Sequence, residues 1–172
     1  MTLVPRLIGQ LAAQDRWLYA RWSLRGDSAL ALRRGWLFVT HAGGATATIT
    51  AVLIPLVLTP WPRTDSWRAA LSLSVSHLVV QLIKRFVCRP RPDGPVGISI
   101  PDRFSFPSGH ATASLAVALA YAAAFPSITV PLVAFGLVVG WSRVALGVHY
   151  PGDVLAGQFI ATLTVLAVTL LT

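Results

Sequence analysis

The chain has 172 residues, of which 55% are hydrophobic, and its mean hydropathy is +0.67. A soluble domain of this length needs far fewer apolar residues to fill one core, so the composition indicates an integral membrane protein. The net charge of +8 comes without a basic tract, zinc-ligand spacing or aromatic-basic platform, so we expect lipid head groups and no nucleic acid as partners.

The N-terminal segment is predicted to lie on the membrane surface. Charged residues interrupt it repeatedly, whereas a signal peptide has a continuous apolar core. Apolar side chains at positions 3, 7, 11, 18 and 22 form a stripe that is typical of an amphipathic helix. We therefore expect residues 1–35 to be an interfacial helix region, within a single membrane domain that covers residues 1–172.

Five apolar stretches follow, each about as long as a helix needs to cross roughly 30 Å of hydrocarbon. They are residues 36–58, 69–87, 108–125, 127–143 and 154–172. A soluble bundle would need polar outer faces on these helices. However, Arg143 and Asp153 are the only formally charged side chains in residues 104–172. The predicted fold class is all-α, an integral membrane bundle of about five transmembrane helices.

The connections between these stretches place the polar residues on one side of the membrane. Residues 89–107 form the one long connection, and long loops in compact proteins are usually functional. Counting crossings puts the N-terminal segment, this loop and the turn "GVHYPGD" on the same face. The polar chemistry is therefore predicted to converge there.

Charged and hydrogen-bonding residues are concentrated at helix ends on that face. Taken singly, each has an ordinary interpretation, such as a cation that anchors the chain to head groups or a serine that caps a helix. Together they offer cations, two histidines and a carboxylate to one cavity, and ionisable groups this close to hydrocarbon are usually functional. The cluster consists of Lys84, Arg91, Ser108, Gly109, His110, Arg143, His149 and Asp153.

The chemistry of this cluster suits a phosphate group. Its lysine and two arginines can offset a phosphate dianion, and guanidinium forks match the phosphate oxygens. Ser108 offers a hydroxyl donor, while the backbone amides of Gly109 and His110 open a helix whose N-terminus attracts anions. The sequence therefore predicts a phosphate-binding site.

The two histidines are predicted to divide the chemistry between them. Asp153 can accept the Nδ1 proton of His149, which leaves the Nε2 lone pair free as a nucleophile. His110 would then protonate the departing oxygen as a general acid. The chain has no glutamate and its six aspartates are scattered, whereas a two-metal site needs clustered carboxylates, so nothing in the sequence indicates a metal ion or another cofactor.

The joint spacing of these residues resembles the three-part signature of the type-2 phosphatidic acid phosphatase superfamily. The parts are Lys84, six residues and Arg91-Pro92; then Pro107 to His110; then Ser142-Arg143, five residues, His149, three residues and Asp153. The resemblance implies a metal-independent hydrolase of a lipid phosphomonoester or diphosphate that works through a phosphohistidine on His149. It assigns support of that histidine to Asp153, leaving-group protonation to His110, and phosphate binding to the other residues of the cluster.

Substrate and sidedness stay open at this stage. Phosphatidic acid, phosphatidylglycerol phosphate, and polyprenyl phosphates or diphosphates carry the same phosphate chemistry, and we expect no obligatory protein partner. A bacterial cytoplasmic membrane is the expected location, with the site on either face. Two alternatives remain, namely a vanadate-dependent haloperoxidase-like oxidoreductase and a non-enzymatic protein that binds or transports lipid phosphates.

Four further polar residues are not assigned to the reaction. His41 and His77 lie inside predicted spans, where a hydrogen bond between helices is the simplest role, and His77 shares a helical face with Lys84 at the expected substrate entrance. Arg89 and Arg103 are expected to hold a lipid head group or to be solvated.

Overall fold

The protein is a bundle of helices in the computed structural model, which describes residues 3–58, 63–93 and 102–172. The α-helices in these ranges are α1 Leu3–Trp22, α2 Leu30–Ala42, α3 Ala45–Leu58, α4 Arg63–Val87, α5 Gly109–Ala124, α6 Thr129–Ala145 and α7 Pro151–Leu171. A short 3-10 turn, Pro126–Ile128, joins α5 to α6. The middle of the long connection, residues 94–101, lies outside the described residues, as do the side chains of the first two positions of the N-terminal stripe.

The helices are long and apolar enough for a membrane protein. Among the described residues, four stretches have the length and composition to cross a bilayer: Leu30–Leu58, Thr64–Val87, Pro126–Ala145 and Pro151–Leu171. The predicted all-α integral membrane bundle is therefore confirmed.

Helix α5 occupies the centre of the bundle and contacts α3, α4, α6 and α7. It has only 16 residues, and nine of them are buried, most of these being alanines and other small residues. Small side chains allow neighbouring helices to approach closely. Gly157 of α7 shows how close this approach is, since a Cβ there would lie 2.6 Å from the carbonyl oxygen of Ser108.

The first predicted crossing, residues 36–58, is wrong as a single helix. It begins earlier, at Leu30, and is divided into α2 and α3 by Gly43 and Gly44. Two adjacent glycines weaken a helix, and tertiary packing uses the break here. A Cβ on Gly43 would collide with a methyl carbon of Val139, so α6 packs directly against the backbone at this point.

The ends of α1 and of the long connection lie near the turn between α6 and α7. Trp22 of α1 packs on Trp141 with ring centroids 4.7 Å apart, and Tyr19 packs edge-on against Tyr150 at 5.4 Å. The amide of Ser105 donates to the carbonyl of Arg89 at 2.9 Å, which ties the two described ends of the connection together. The helix ends that carry the polar motifs therefore lie on one side of the bundle.

Candidate active site

The turn between α6 and α7 places His149. The amides of Val148 and His149 both donate to the carbonyl of Arg143, at 3.1 and 3.2 Å. Gly147 has a φ of 72°, a left-handed conformation that glycine adopts without a steric penalty. The next helix begins at Pro151, so His149 is held between two helix ends and is 2% exposed.

Asp153 lies directly behind His149. Its Oδ2 is 3.5 Å from His149 Nδ1 and accepts the amide N–H of Tyr150 at 2.9 Å, while its Oδ1 accepts Arg89 Nη1 at 2.8 Å. The carboxylate is fully buried. Contacts on both oxygens fix its orientation relative to the imidazole.

Arg91 determines which nitrogen of His149 carries the proton. Its Nη1 lies 3.0 Å from His149 Nε2, and because a guanidinium can only donate, Nε2 is the acceptor. The neutral imidazole therefore has its proton on Nδ1, facing Asp153. Burial lowers the pKa of His149 to about 4, so the ring is neutral at pH 7 with its lone pair on the nitrogen that faces Arg91.

The carboxylate of Asp102 is paired with two of the predicted cations. Lys84 donates to that carboxylate and, at 3.0 Å, to the carbonyl of Phe104. Arg91 Nη2 lies 3.8 Å from Asp102 Oδ2, and its Nε donates to the Asp102 carbonyl at 2.8 Å. Burial would raise the pKa of Asp102, but the hydrogen bond and charge of Lys84 outweigh burial and hold that pKa below its ordinary value. Burial also lowers the pKa of Arg91.

Arg143 and Ser108 are buried and incompletely bonded. Arg143 Nη1 donates to Thr40 Oγ1 at 2.6 Å, in the last turn of α2, but its Nε has no partner. Ser108 precedes α5 without making a side-chain cap, and its Oγ has no partner either. Four buried side-chain polar atoms lack a hydrogen-bond partner among the described residues, and three belong to the predicted cluster: Ser108 Oγ, Arg143 Nε and His149 Nδ1.

A cavity of about 250 Å³ collects most of the cluster. The predicted residues that line it are Lys84, Arg91, Gly109, His110, Arg143 and His149. Ser108 and Asp153 are not in its wall, and Asp153 lies behind His149 instead. With three basic side chains and the single carboxylate of Asp102, the described wall is positively charged and suits a phosphate anion.

The cavity wall also contains polar residues outside the predicted cluster. Thr40, His41, His77, Gln81 and Asp102 complete its polar part. The predicted hydrogen bonds of His41 and His77 between helices are wrong, because His41 Nδ1 lies 2.6 Å from the Leu37 carbonyl and His77 Nε2 lies 3.4 Å from Gln81 Nε2, each within one helix. His77 does lie on the wall, on the helical face of Lys84 that the spacing indicated.

Arg89 has a role that differs from the predicted head-group contact or solvation, whereas Arg103 agrees with the prediction of a solvated side chain. Arg89 pairs with two carboxylates, Asp153 at 2.8 Å and Asp15 at 2.7 Å. Arg103 is exposed, and its guanidinium lies 5.7 Å from the ring centre of Phe104. Asp15 was not predicted from the sequence. The usable signal was that it is the one carboxylate in α1, whose other charged residues are all basic.

Comparison with known proteins gives a consistent result. The family model described as the PAP2 superfamily matches residues 65–172. The decaprenylphosphoryl-5-phosphoribose phosphatase of Mycobacterium tuberculosis is 39% identical over 112 residues, which cover 61% of this chain and 60% of that protein. The protein of the same name from Mycolicibacterium smegmatis is 36% identical over 143 residues, or 76% of each chain. The chain thus spans about three fifths of the length of the first relative.

A solved structure shares the fold. The crystal structure of a transmembrane PAP2-type phosphatidylglycerolphosphate phosphatase from Bacillus subtilis superimposes with a TM-score of 0.77, covering 93% of this chain and 85% of the other. At 23% sequence identity this likeness concerns the arrangement of helices.

Proposed function

The chain belongs to the PAP2 superfamily, and from that premise we propose that it is a membrane lipid phosphatase whose reaction takes place in the cavity beside His149. The phosphate would be bound by Lys84, Arg91, Arg143 and the N-terminus of α5, with Ser108 adding its hydroxyl. A single unit formed by α1 and the bundle would carry out the reaction, since Asp15 of α1 contacts the beginning of α7.

The observation that carries this proposal is the convergence of unpaired donors with buried cations. Ser108 Oγ and Arg143 Nε are buried without partners, and leaving such groups unpaired costs about 1–3 kcal/mol each. Arg143 is 5% exposed and Lys84 is 4% exposed, so both charges are already largely removed from water. A tetrahedral anion in this cavity would supply an acceptor to Arg143 Nε and offset the charges at the same time. Ser108 Oγ, next to Gly109 of the wall, would reach the anion by turning into the cavity.

The proposed reaction has two steps. His149 Nε2 attacks phosphorus, the bond from phosphorus to the lipid oxygen breaks, and His110 gives its proton to that oxygen. Water then attacks the phosphohistidine, His110 takes a proton from that water, and inorganic phosphate leaves with His149 restored. The ring of His149 gains positive charge when Nε2 is phosphorylated, and Asp153 faces the Nδ1–H that carries it.

Arg91 has to change partners during this cycle. Its Nη1 donates to the lone pair that makes the attack, so it must move from His149 Nε2 to a phosphate oxygen when the substrate binds. A phosphate oxygen is a stronger acceptor than a neutral ring nitrogen because it carries charge. Substrate binding would thus release the nucleophile.

The wall of the cavity favours a substrate with a polar group next to its phosphate. His41, His77 and Gln81 extend the polar surface from the cations towards the exposed sides of α2 and α4. The mycobacterial relatives are named for a phosphoribose joined to a decaprenylphosphoryl group. We therefore rank phosphorylated polyprenyl-linked sugars first, ahead of phosphatidic acid, phosphatidylglycerol phosphate and polyprenyl diphosphates.

A panel assay tests the function. Purified protein in lipid vesicles would be given each of these lipids without added divalent metal, and released phosphate would be measured. We expect turnover of at least one lipid, inhibition by vanadate, and loss of turnover in His149→Ala with lipid binding retained. Asp65→Asn is the matched control, since Asp65 pairs only loosely with Arg68 at the other end of α4. Binding without phosphate release from any lipid would contradict the proposal and favour a transport protein, and vanadate-dependent halide oxidation would favour the peroxidase.

A further inference from the structure

Besides the packing of Tyr19 on Tyr150, helix α1 brings one carboxylate, Asp15, to the beginning of α7. Asp15 Oδ1 accepts the amide N–H of Gly152 at 2.7 Å, and its Oδ2 pairs with Arg89 Nη2 at 2.7 Å. Gly152 belongs to the first turn of α7, where an acidic group is favoured by the free amides and the helix dipole. The Asp15 side chain is 13% exposed, so the contact is shielded from water.

Arg89 connects Asp15 to the histidine pair. Its Nη1 donates to Asp153 Oδ1 at 2.8 Å while its Nη2 holds Asp15, and its guanidinium lies 4.1 Å from the ring centre of Tyr150. The Oδ2 of Asp153 then remains for the Tyr150 amide and for His149 Nδ1. Four charged or titratable groups therefore form one continuous chain, from Asp15 through Arg89 and Asp153 to His149.

Neither Asp15 nor Arg89 lines the cavity that contains the phosphate-site cations. Arg89 contacts the carboxylate of Asp153, which lies behind His149, and Asp15 contacts Arg89. Asp15 also lies outside the residues that match the family model, 65–172, and outside the spacing pattern that begins at Lys84. The contact therefore joins a residue outside the matched segment to the site within it.

We propose that Asp15 is a positioning residue, which holds Arg89 against Asp153 and so makes the docking of α1 necessary for an aligned His149–Asp153 pair. Arg89 is 23% exposed, and with one carboxylate removed its guanidinium can turn towards water. Asp153 would then lose the partner that fixes its Oδ1, and the angle of its Oδ2 to the imidazole would no longer be set. This inference rests on the proposed function for its catalytic consequence, but not for the alignment itself.

A double-mutant cycle tests the order of the chain. The variants are Asp15→Asn, Arg89→Met and their combination, with Asp27→Asn as the matched control, because Asp27 is an exposed aspartate just beyond α1. We expect about a tenfold lower kcat in Asp15→Asn, in line with the sensitivity of catalysis to small misplacements. Inhibition by inorganic phosphate should change less than about twofold, because the residues that would hold phosphate are untouched.

The combination of the two variants decides whether Asp15 acts through Arg89. If it does, Asp15→Asn lowers kcat no further once Arg89 is methionine, since coupled residues are not additive. Asp15→Glu should recover part of the activity. Multiplicative losses in the double variant, or an Asp15→Asn enzyme as active as Asp27→Asn, would overturn the proposal.

A second measurement does not depend on turnover. NMR of isotope-labelled histidine in micelles follows the protonation of His149, with His149→Gln to assign its signal. The groups that face this imidazole are Asp153 of α7, Arg91 of the long connection, Arg143 of α6 and His110 of α5.

The guanidinium of Arg89 offsets part of the negative charge of Asp153. When Arg89 turns away, Asp153 stabilises the imidazolium form of His149 more strongly, so the titration midpoint of His149 rises. We expect the same rise in Asp15→Asn as in Arg89→Met, and no rise in Asp27→Asn. An unchanged midpoint in Asp15→Asn would refute the positioning role. If the unmodified protein hydrolyses no lipid phosphate, the proposed function fails while this measurement still decides the inference.

Discussion

Replacing Asp153 with asparagine should separate its charge from its shape. The structure uses both carboxylate oxygens as acceptors, one for Arg89 and one for the Tyr150 amide, and asparagine replaces one of these oxygens with an NH2 group that can only donate. One buried donor is therefore left without an acceptor, which costs about 1–3 kcal/mol of stability. The variant should fold, because a membrane bundle of this size has many other contacts.

The effect on catalysis follows from the distance to His149. At 3.5 Å and an effective dielectric constant of about 20, a full charge on the phosphorylated ring would interact with Asp153 by about 5 kcal/mol. Arg89 already offsets part of the carboxylate charge, so we take about half of that energy. A loss of about 2.5 kcal/mol from the transition state lowers kcat roughly 70-fold.

The assay is phosphate release at saturating lipid, with Asp65→Asn as the control for loss of an aspartate far from the site. Single-turnover rates should fall by the same factor, since the first chemical step is affected. If Asp153→Asn keeps kcat within about threefold of the unmodified enzyme, the assigned support of His149 by Asp153 is wrong.

Three further predictions concern other parts of the molecule. Asp102→Asn should tighten inhibition by inorganic phosphate about two- to fivefold, because the partly exposed carboxylate of Asp102 competes with phosphate for Lys84 and Arg91. Weaker inhibition in this variant would contradict that competition. Gly157→Ala should destabilise thermal unfolding by about 1–3 kcal/mol because a Cβ would meet the Ser108 carbonyl at 2.6 Å, whereas Gly35→Ala, with nothing within 4 Å, should be neutral or stabilising. His149 should titrate near pH 4 by histidine NMR, and a midpoint near 6.5 would contradict the effect of burial. Because this pKa is below the unfolded value of 6.5, the contribution of the neutral His149 to folding stability is fully present above pH 6.5 and is lost as the pH falls towards 4.

The sequence predicted the bundle and the clustering of the site because both depend on simple patterns. Apolar length sets the crossings, and motifs at the ends of alternate crossings must lie on one face. The same patterns could not show the break at Gly43 and Gly44. Two glycines within an apolar run are compatible with a continuous helix, and the packing of Val139 against their backbone is a tertiary contact.

The partners of the charged residues were also beyond sequence reasoning. Arg89 was expected at a head group or in solvent, yet it pairs with Asp15 and Asp153 because the tertiary fold brings α1 against α7. Asp102 was given no role from the sequence, yet it pairs with Lys84. The direction and the partner of a long side chain depend on elements that are distant in the chain, so the spacing of residues alone does not predict them.

Trapping the phosphorylated enzyme tests the central claim most directly. A phosphate ester with a good leaving group and a phosphorus radiolabel needs no acid for the first step, so His110→Gln should form the intermediate and hydrolyse it slowly. An alkaline quench, which preserves phosphohistidine, followed by peptide mass spectrometry should find the label on His149. No label should form when His149→Ala is added to His110→Gln. Turnover that persists without label on His149, or label that survives in His149→Ala, would contradict nucleophilic attack by this histidine.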